Sequence, residues 1–228
     1  MPGLDNFTKL LLHCDGADTS TTFTDSSFSG HTCTPSGNAQ MDTAQSKFGG
    51  ASVLFDGSGD YVTVADSADW DFGTGDFTID YWVRFAALGS DRTAIDVNGG
   101  DGNGIWVQYQ NAGNMRARIV GNDYTFAHSA STDIWYHHAI TRSGTNLRMF
   151  VGGVQVGTTQ TSSDNITGGT IGVLLGRKNG GGDQLSGWLD EVRISKGIAR
   201  WTSTFDVPTA AYRRGSTSIV FFEEFNPG

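Results

Sequence analysis

Only three glutamates occur in this 228-residue chain, Glu191, Glu223 and Glu224, and all its other acidic residues are aspartates. Hydrolysis of a glycosidic bond needs two carboxylates flanking that bond, about 5–5.5 Å apart when a covalent intermediate forms. No strand-like stretch carries such a pair. Glu191 sits in the run Asp190-Glu191-Val192-Arg193-Ile194, where a structural or solvent-facing carboxylate is the simpler reading, and Glu223 and Glu224 lie in a C-terminal tail. Asp76 and Asp80 are four residues apart along one strand and too distant to share a bond. Lyase chemistry would want a positioned Tyr, His and Arg or Asn, and Tyr136-His137-His138 supplies two of these types. Adjacent strand residues point to opposite faces, however, so the two histidines cannot act together. No third ligand is spaced with them for a metal. The chain reads as non-enzymatic.

Binding chemistry is better supplied. A neutral sugar needs an aromatic face to stack on and a few oriented amide or charged groups. Trp106 and Tyr109 lie on a strand, and two glycine-rich loops add Asn98, Asp101, Asn103, Arg177, Lys178, Asn179 and Asp183. The plainer reading of each aromatic is a core side chain. The loop Asp96–Gly104 is superficially like an EF-hand loop, but its third acid comes one place late and Val107 replaces the bidentate glutamate. It reads as a glycine-rich hairpin loop that needs no metal.

The elements that would carry these residues are strands. Gly at 32, Pro at 4 and 11% aromatic residues suit many short strands joined by tight turns, and no sustained 3.6-residue periodicity competes. Phe77, Ile79, Tyr81, Val83 and Phe85 share one face of the longest strand, Asp76 to Phe85, while Thr78, Asp80, Trp82 and Arg84 share the other. Trp82 on the polar face implies a covering loop. Ala51 to Phe55 and Tyr61 to Val64 have the look of a hairpin, and Gly152-Gly153 between Val151 and Val154 marks a two-residue primed turn. Cys14 follows Leu10 and Leu12 at period two, which suits a small core residue. Reduced thiols at Cys14 and Cys33 are the simpler reading, with a bridge as the alternative.

The formal net charge of −9 argues against a phosphate backbone or an anionic membrane as partner. No apolar stretch approaches the roughly 20 residues of a membrane-spanning helix. The start, Met1 to Lys9, lacks the basic region and apolar core of a secretory signal, which leaves a removed leader or another route out of the cell.

Several blocks in order resemble laminin-G-like domains. They are Lys47-Phe48-Gly49-Gly50-Ala51 with Phe55-Asp56-Gly57 and Asp60-Tyr61-Val62, then Asp76-Phe77-Thr78 with Trp82-Val83, Trp135-Tyr136-His137, Leu147 to Gly153, and the closing run Gly187 to Trp201. The resemblance covers about Leu10 to Asp206. It implies an all-β, concanavalin A-like jelly-roll sandwich of two antiparallel sheets, with Gly187 to Trp201 read as a final strand feeding one short helical turn. It divides the chain into an arm at 1–8, a sandwich at 9–206 and a tail at 207–228. In such domains a cation often ties the first strand to the last, and the matching positions here are Asp15 and Asp190, with a carbonyl from Gly50; such oxygens suit structural Ca2+.

The closing phrase Ile194 to Trp201, with Phe205 to Tyr212, and the opening Lys9 to Gly16 also resemble domains of tailed, particularly marine, bacteriophage virion proteins. That resemblance implies a non-enzymatic virion surface protein, such as a capsid decoration or a head or tail fibre component. It would dock on capsid or tail proteins, repeat as a homo-oligomer on the particle, and be able to adhere to cell-surface or mucus glycans. The alternative is a carbohydrate-binding accessory module of a secreted bacterial protein or glycanase. In the tail, the β-prone run Ile219-Val220-Phe221-Phe222 suits docking on a partner or a last strand of the sandwich.

Overall fold

The computed structural model describes residues 4–99 and 102–213. Within them the chain forms β1 (Thr8–Leu12), β2 (Cys33–Ser36), β3 (Gln40–Asp42), β4 (Ser52–Asp56), β5 (Tyr61–Val64), β6 (Phe77–Phe85), β7 (Arg92–Val97) and β8 (Ile105–Gln110). It continues with β9 (Asn114–Ile119), β10 (Asn122–Ala127), β11 (Trp135–Ser143), β12 (Asn146–Val151), β13 (Val154–Thr161), β14 (Val173–Leu175) and β15 (Ser186–Lys196). A single 3-10 turn at Ala68–Trp70 is the helical structure among the described residues. The strands make two antiparallel sheets. The first is ordered β13-β12-β11-β6-β15-β4-β3, with β1 paired to β15, and the second is ordered β10-β9-β8-β7-β14-β5-β2. This is the expected jelly-roll sandwich.

Period-two alternation explains how the layers meet. Phe77, Ile79, Tyr81, Val83 and Phe85 of β6 enter the core together with Ile105, Val107 and Tyr109 of β8 and Met115, Ala117 and Ile119 of β9. Cys14 is buried in the same core and, like Cys33, is a free thiol. Gly152 and Gly153, at φ 57° and 80°, make the tight turn joining β12 to β13.

Two local expectations are corrected. β4 and β5 are not a hairpin: β4 pairs with β15 and β3 in one sheet, whereas β5 pairs with β14 and β2 in the other. The Gly57–Asp60 turn carries the chain across the sandwich instead. The residues after β15 form no helical turn. Gly197 takes φ 84°, and Thr78 Oγ1 of β6 donates to the Ile198 carbonyl and accepts from the Arg200 amide, so the backbone groups a helix would pair are satisfied by a neighbouring strand. The segment instead becomes a strap over the outer face of the first sheet.

Under that strap lies a buried polar network. Arg193 donates to Asp80 at 2.9 Å, and the Tyr212 hydroxyl donates to the same carboxylate. Trp201 stacks on Phe205 at 4.0 Å between ring centres, edge-on to His137. Burial would raise the Asp80 carboxyl, but the Arg193 charge and His137 outweigh it and hold the group at about 2. Leu4 packs with Leu11 and Tyr212, and its amide donates to the Arg213 carbonyl at 3.2 Å. The packed body thus takes in part of the arm and the tail as far as Arg213.

Candidate functional site

On the outer face of the second sheet, register places Trp106 between Asp96 of β7 and Arg118 of β9, and Gln108 between Thr93 and Arg116. The loop from Gly176 to Leu185 crosses this face. Its four glycines, Gly176, Gly180, Gly181 and Gly182, all take positive φ between 78° and 87°, a backbone conformation that glycine adopts without strain. Polar contacts fasten it. The Asn179 amide donates to Asp96 Oδ2 at 2.8 Å, Gln108 Nε2 donates to Asp183 Oδ2 at 2.7 Å, and Lys178 pairs with Asp183.

Cations cap the aromatic rings. The Arg116 guanidinium stands 4.5 Å over Trp106 while its Nε donates to Gln108 Oε1 at 3.1 Å, and Lys178 Nζ lies 5.7 Å from the same ring. Arg177 covers Tyr61 at 3.4 Å. The indole of Trp106 borders a shallow depression lined by Gly99, Gly102, Gly104, Arg118 and Gly121. Charges are balanced here: Arg116 faces Asp91 and Asp123, Arg118 pairs with Asp123, and Lys178 pairs with Asp183. The Trp106 ring is only 6% exposed beneath these cations, and the face above it presents a row of paired donors and acceptors with little net charge.

Trp106, Lys178, Asn179 and Asp183 are thus brought together as the sequence suggests, with Arg177 beside them over Tyr61. Four other expectations are corrected or fall elsewhere. Tyr109 points into the sandwich, tilted against Phe85 at 5.3 Å, because residues three apart on a strand face opposite ways. Asn98 is buried at φ 63° and spends its amide on Trp70, Asp71 and Thr167. It holds the loop together and is closed to a ligand. Asn103 is exposed at the loop, its carbonyl accepting from Thr167, and Asp101 lies outside the described residues. Gln108, Arg116 and Tyr61 were missed. The alternation Met115-Arg116-Ala117-Arg118-Ile119 already puts both arginines on one solvent face.

The acidic corner lies at the split of β15. Its first half pairs with β4 and its second with β1, and between them a bulge inserts one residue, Glu191, at φ 48°. Glu191 is buried and fully engaged: Oε1 meets His13 Nδ1 at 2.8 Å, and Oε2 accepts from the Tyr212 amide at 2.8 Å. It pins the strap and reads as structural. Asp190 is different. Its Oδ2 accepts from the Lys47 and Phe48 amides at 2.7 and 3.1 Å, while its buried Oδ1 has no partner. Burial pushes this carboxyl up to about 7 against those two donors, with the Glu191 charge adding to the rise.

Asp15 lies against the same loop. A Cβ on Gly49 would meet Asp15 Oδ1 at 1.6 Å, so glycine is needed there for the carboxylate to sit, and Gly49 rather than Gly50 makes the close approach. Burial raises the Asp15 carboxyl as well. No group of three His, Cys, Asp or Glu side chains gathers in metal-binding geometry among the described residues. An orphaned buried carboxylate oxygen beside a second carboxylate does fit a hard cation completed by carbonyls and water. His137 and His138 face opposite sides of the sheet as expected: His137 lies beside Asp80 under the strap, and His138 lies in the core against Tyr81. The run Ile219–Phe222, Glu223 and Glu224 lie outside the described residues.

Comparison with known proteins agrees with this geometry. Residues 56–200 match the Laminin_G_3 family, described as the concanavalin A-like lectin/glucanases superfamily, and the chain belongs to that family. Among solved structures, the chain is similar to the binding domain of Paraclostridial Mosquitocidal Protein 1, at 16% identity and a TM-score of 0.64 over 85% of this chain and 50% of that one. It is also similar to the binding domain of botulinum neurotoxin serotype G, at 16% identity and a TM-score of 0.63 over 83% of this chain and 48% of that one. The chain therefore spans about half the length of these toxin domains. A third similar structure is domain 4 of AbnA, a GH43 extracellular arabinanase from Geobacillus stearothermophilus, in complex with arabinotriose. It is 19% identical, with a TM-score of 0.64 over 84% of this chain and 93% of that one. At such identities these likenesses establish a common fold. No curated protein matches the sequence.

Proposed function

We propose that this domain is a non-catalytic carbohydrate-binding module of a larger secreted protein, and that it holds a neutral sugar chain across the outer face of the second sheet. The observation that carries this reading is Trp106 set among Gln108, Arg116, Lys178 and Asp183, with Arg116 and Lys178 each paired to a carboxylate. Paired charges favour hydroxyl groups over an anionic ligand, because an anion would have to displace the resident aspartates. A sugar stacking on Trp106 takes the place of Arg116 or Lys178 over the indole. Trp106 is buried beneath those cations, so that exchange forfeits about 2 kcal/mol, the value of a desolvated cation–π contact. The arabinotriose complex of the similar arabinanase domain makes arabinan oligosaccharides the first ligands to try. Titration calorimetry should give binding that Trp106→Ala weakens by about tenfold or more, measured on variant protein that circular dichroism shows to be folded, since loss of this buried ring lowers the melting temperature. Binding unaltered by that substitution removes the site.

A virion surface is the second setting, resting on the resemblance of the closing run Ile194 to Tyr212 to domains of phage virion proteins. There the same face would meet host or mucus glycans, with the domain repeated on capsid or tail proteins. Genes for phage structural proteins next to this one support that setting, and glycanase genes or a signal-bearing upstream start support the secreted one.

The acidic corner is proposed to bind Ca2+ through Asp15 and Asp190, with carbonyls of the 47–50 loop. Such an ion would tie the end of β1 to β15 and neutralise two carboxylates that burial disfavours. Added Ca2+ should raise the melting temperature, and chelator should return it. An identical melting temperature with calcium and with chelator excludes the ion.

A further inference from the structure

Four of the six tryptophans, Trp70, Trp82, Trp106 and Trp201, are buried, and the two that remain half-exposed, Trp135 and Trp188, share one feature. Both pair in register with Arg84 of β6, Trp135 from β11 on one side and Trp188 from β15 on the other. They therefore stand in a single cross-strand row on the outer face of the first sheet. Two strand spacings, about 10 Å, separate them.

The row is held in place. Trp188 Nε1 donates to Asp42 Oδ2 at 2.7 Å, and the Arg84 guanidinium lies 5.0 Å over its ring while donating to Asp133 at 2.6 Å. The rest of this face is covered: Lys47 lies 4.0 Å over Trp82, Phe48 meets it edge-on, and the Trp201–Phe205 strap covers His137 and Phe150. Among the described residues, the Arg84 guanidinium over Trp188 is the contact made with the face of either indole. Both indoles are half-buried, as are Phe48 and Phe205 of the cover, so part of each ring stays open to solvent.

The geometry points to a second carbohydrate-binding platform, Trp135–Arg84–Trp188, for an extended, neutral β-1,4-linked pyranose chain. The backbone separation of the two positions matches one disaccharide repeat of such a chain, so alternate sugars would meet an indole and the sugar between them would lie over Arg84. Arg84 donates to ring or hydroxyl oxygens, and Asp42 and Asp133 accept from hydroxyls. Arg84 is balanced by Asp133, which selects against uronic or sulfated chains. This platform lies on the opposite sheet from Trp106 and does not depend on that site.

The test uses the full chain with 15N-labelled indoles, titrated with cellohexaose, xylohexaose and chitohexaose. The Trp135 and Trp188 Nε1–H signals should move together with at least one of the three and hold their response in Trp106→Ala. Affinity should fall about tenfold or more in Trp135→Ala. Resonances of Trp135 and Trp188 that stay still with all three sugars overturn the platform, even if Trp106 responds. A concentration-dependent dimer in sedimentation that Trp135→Ala and Trp188→Ala disrupt, without sugar response, also overturns it and assigns the row to contact between copies. The unsubstituted protein supplies the primary readout, so a substitution that fails to fold does not blunt the test.

Discussion

The outer faces of the two sheets are finished in different ways. On the first sheet the strap from Gly197 to Tyr212 buries Asp80, Arg193 and His137 under Trp201 and Phe205, closing a polar network away from water. On the second sheet the Gly176–Leu185 loop is anchored through Asp96, Gln108 and the Thr93 amide and by the buried Leu185 at its end, while its Lys178–Asp183 pair is partly exposed and its cations sit on aromatic rings. A buried charge network is costly to disturb, whereas partly exposed pairs exchange with water at little cost. The first face suits holding the termini, and the second suits exchanging its covering for a ligand.

The largest expected effect breaks the first face. Arg193→Met leaves the Asp80 carboxylate buried without its cation and should cost about 3–5 kcal/mol in denaturant unfolding. A loss below about 1 kcal/mol would mean the network is not closed to water. Acid should act on the same group. Asp80 is held at about 2, below the roughly 3.9 of an unfolded aspartate. Its contribution is therefore complete above the unfolded value and is lost as pH falls from about 4 through about 2. Circular dichroism across that window should record a steep loss of stability that flattens in Asp80→Asn. The smallest effect belongs to the second face. Lys178→Ala should change stability by less than about 1 kcal/mol while hydrogen exchange at the Asn179 amide speeds up as the loop loosens. A stability loss as large as that of Arg193→Met would make the two faces alike and remove the contrast.

Much of this was legible from side-chain alternation. The β6 pattern assigned Phe77 to Phe85 to the core and foretold cover over Trp82, which Lys47 and Phe48 supply. The same rule, applied to Trp106 and Tyr109, separates them at once, since three positions along a strand reverse the face. The aromatic composition drew both into one group, and the odd spacing should have divided them. The acidic corner was half legible. Asp15 and Asp190 could be matched by resemblance, but the bulge at Glu191 that turns Asp190 toward the 47–50 loop depends on β15 changing partners from β4 to β1.

The sequence by itself determined the alternating faces, the Gly152-Gly153 turn and the sandwich class, because these follow from period-two burial and from backbone angles that neighbours in the chain impose. Which strands met was decided in three dimensions. Ser52–Phe55 and Tyr61–Val64 look like a hairpin locally and yet join opposite sheets, and the segment after Lys196 gave up a helical turn for hydrogen bonds to Thr78, some 120 residues earlier. Local propensity for a hairpin or a single helical turn amounts to little beside the burial of Trp201, Phe205 and Tyr212 against the sheet, so long-range packing chose the path of the chain.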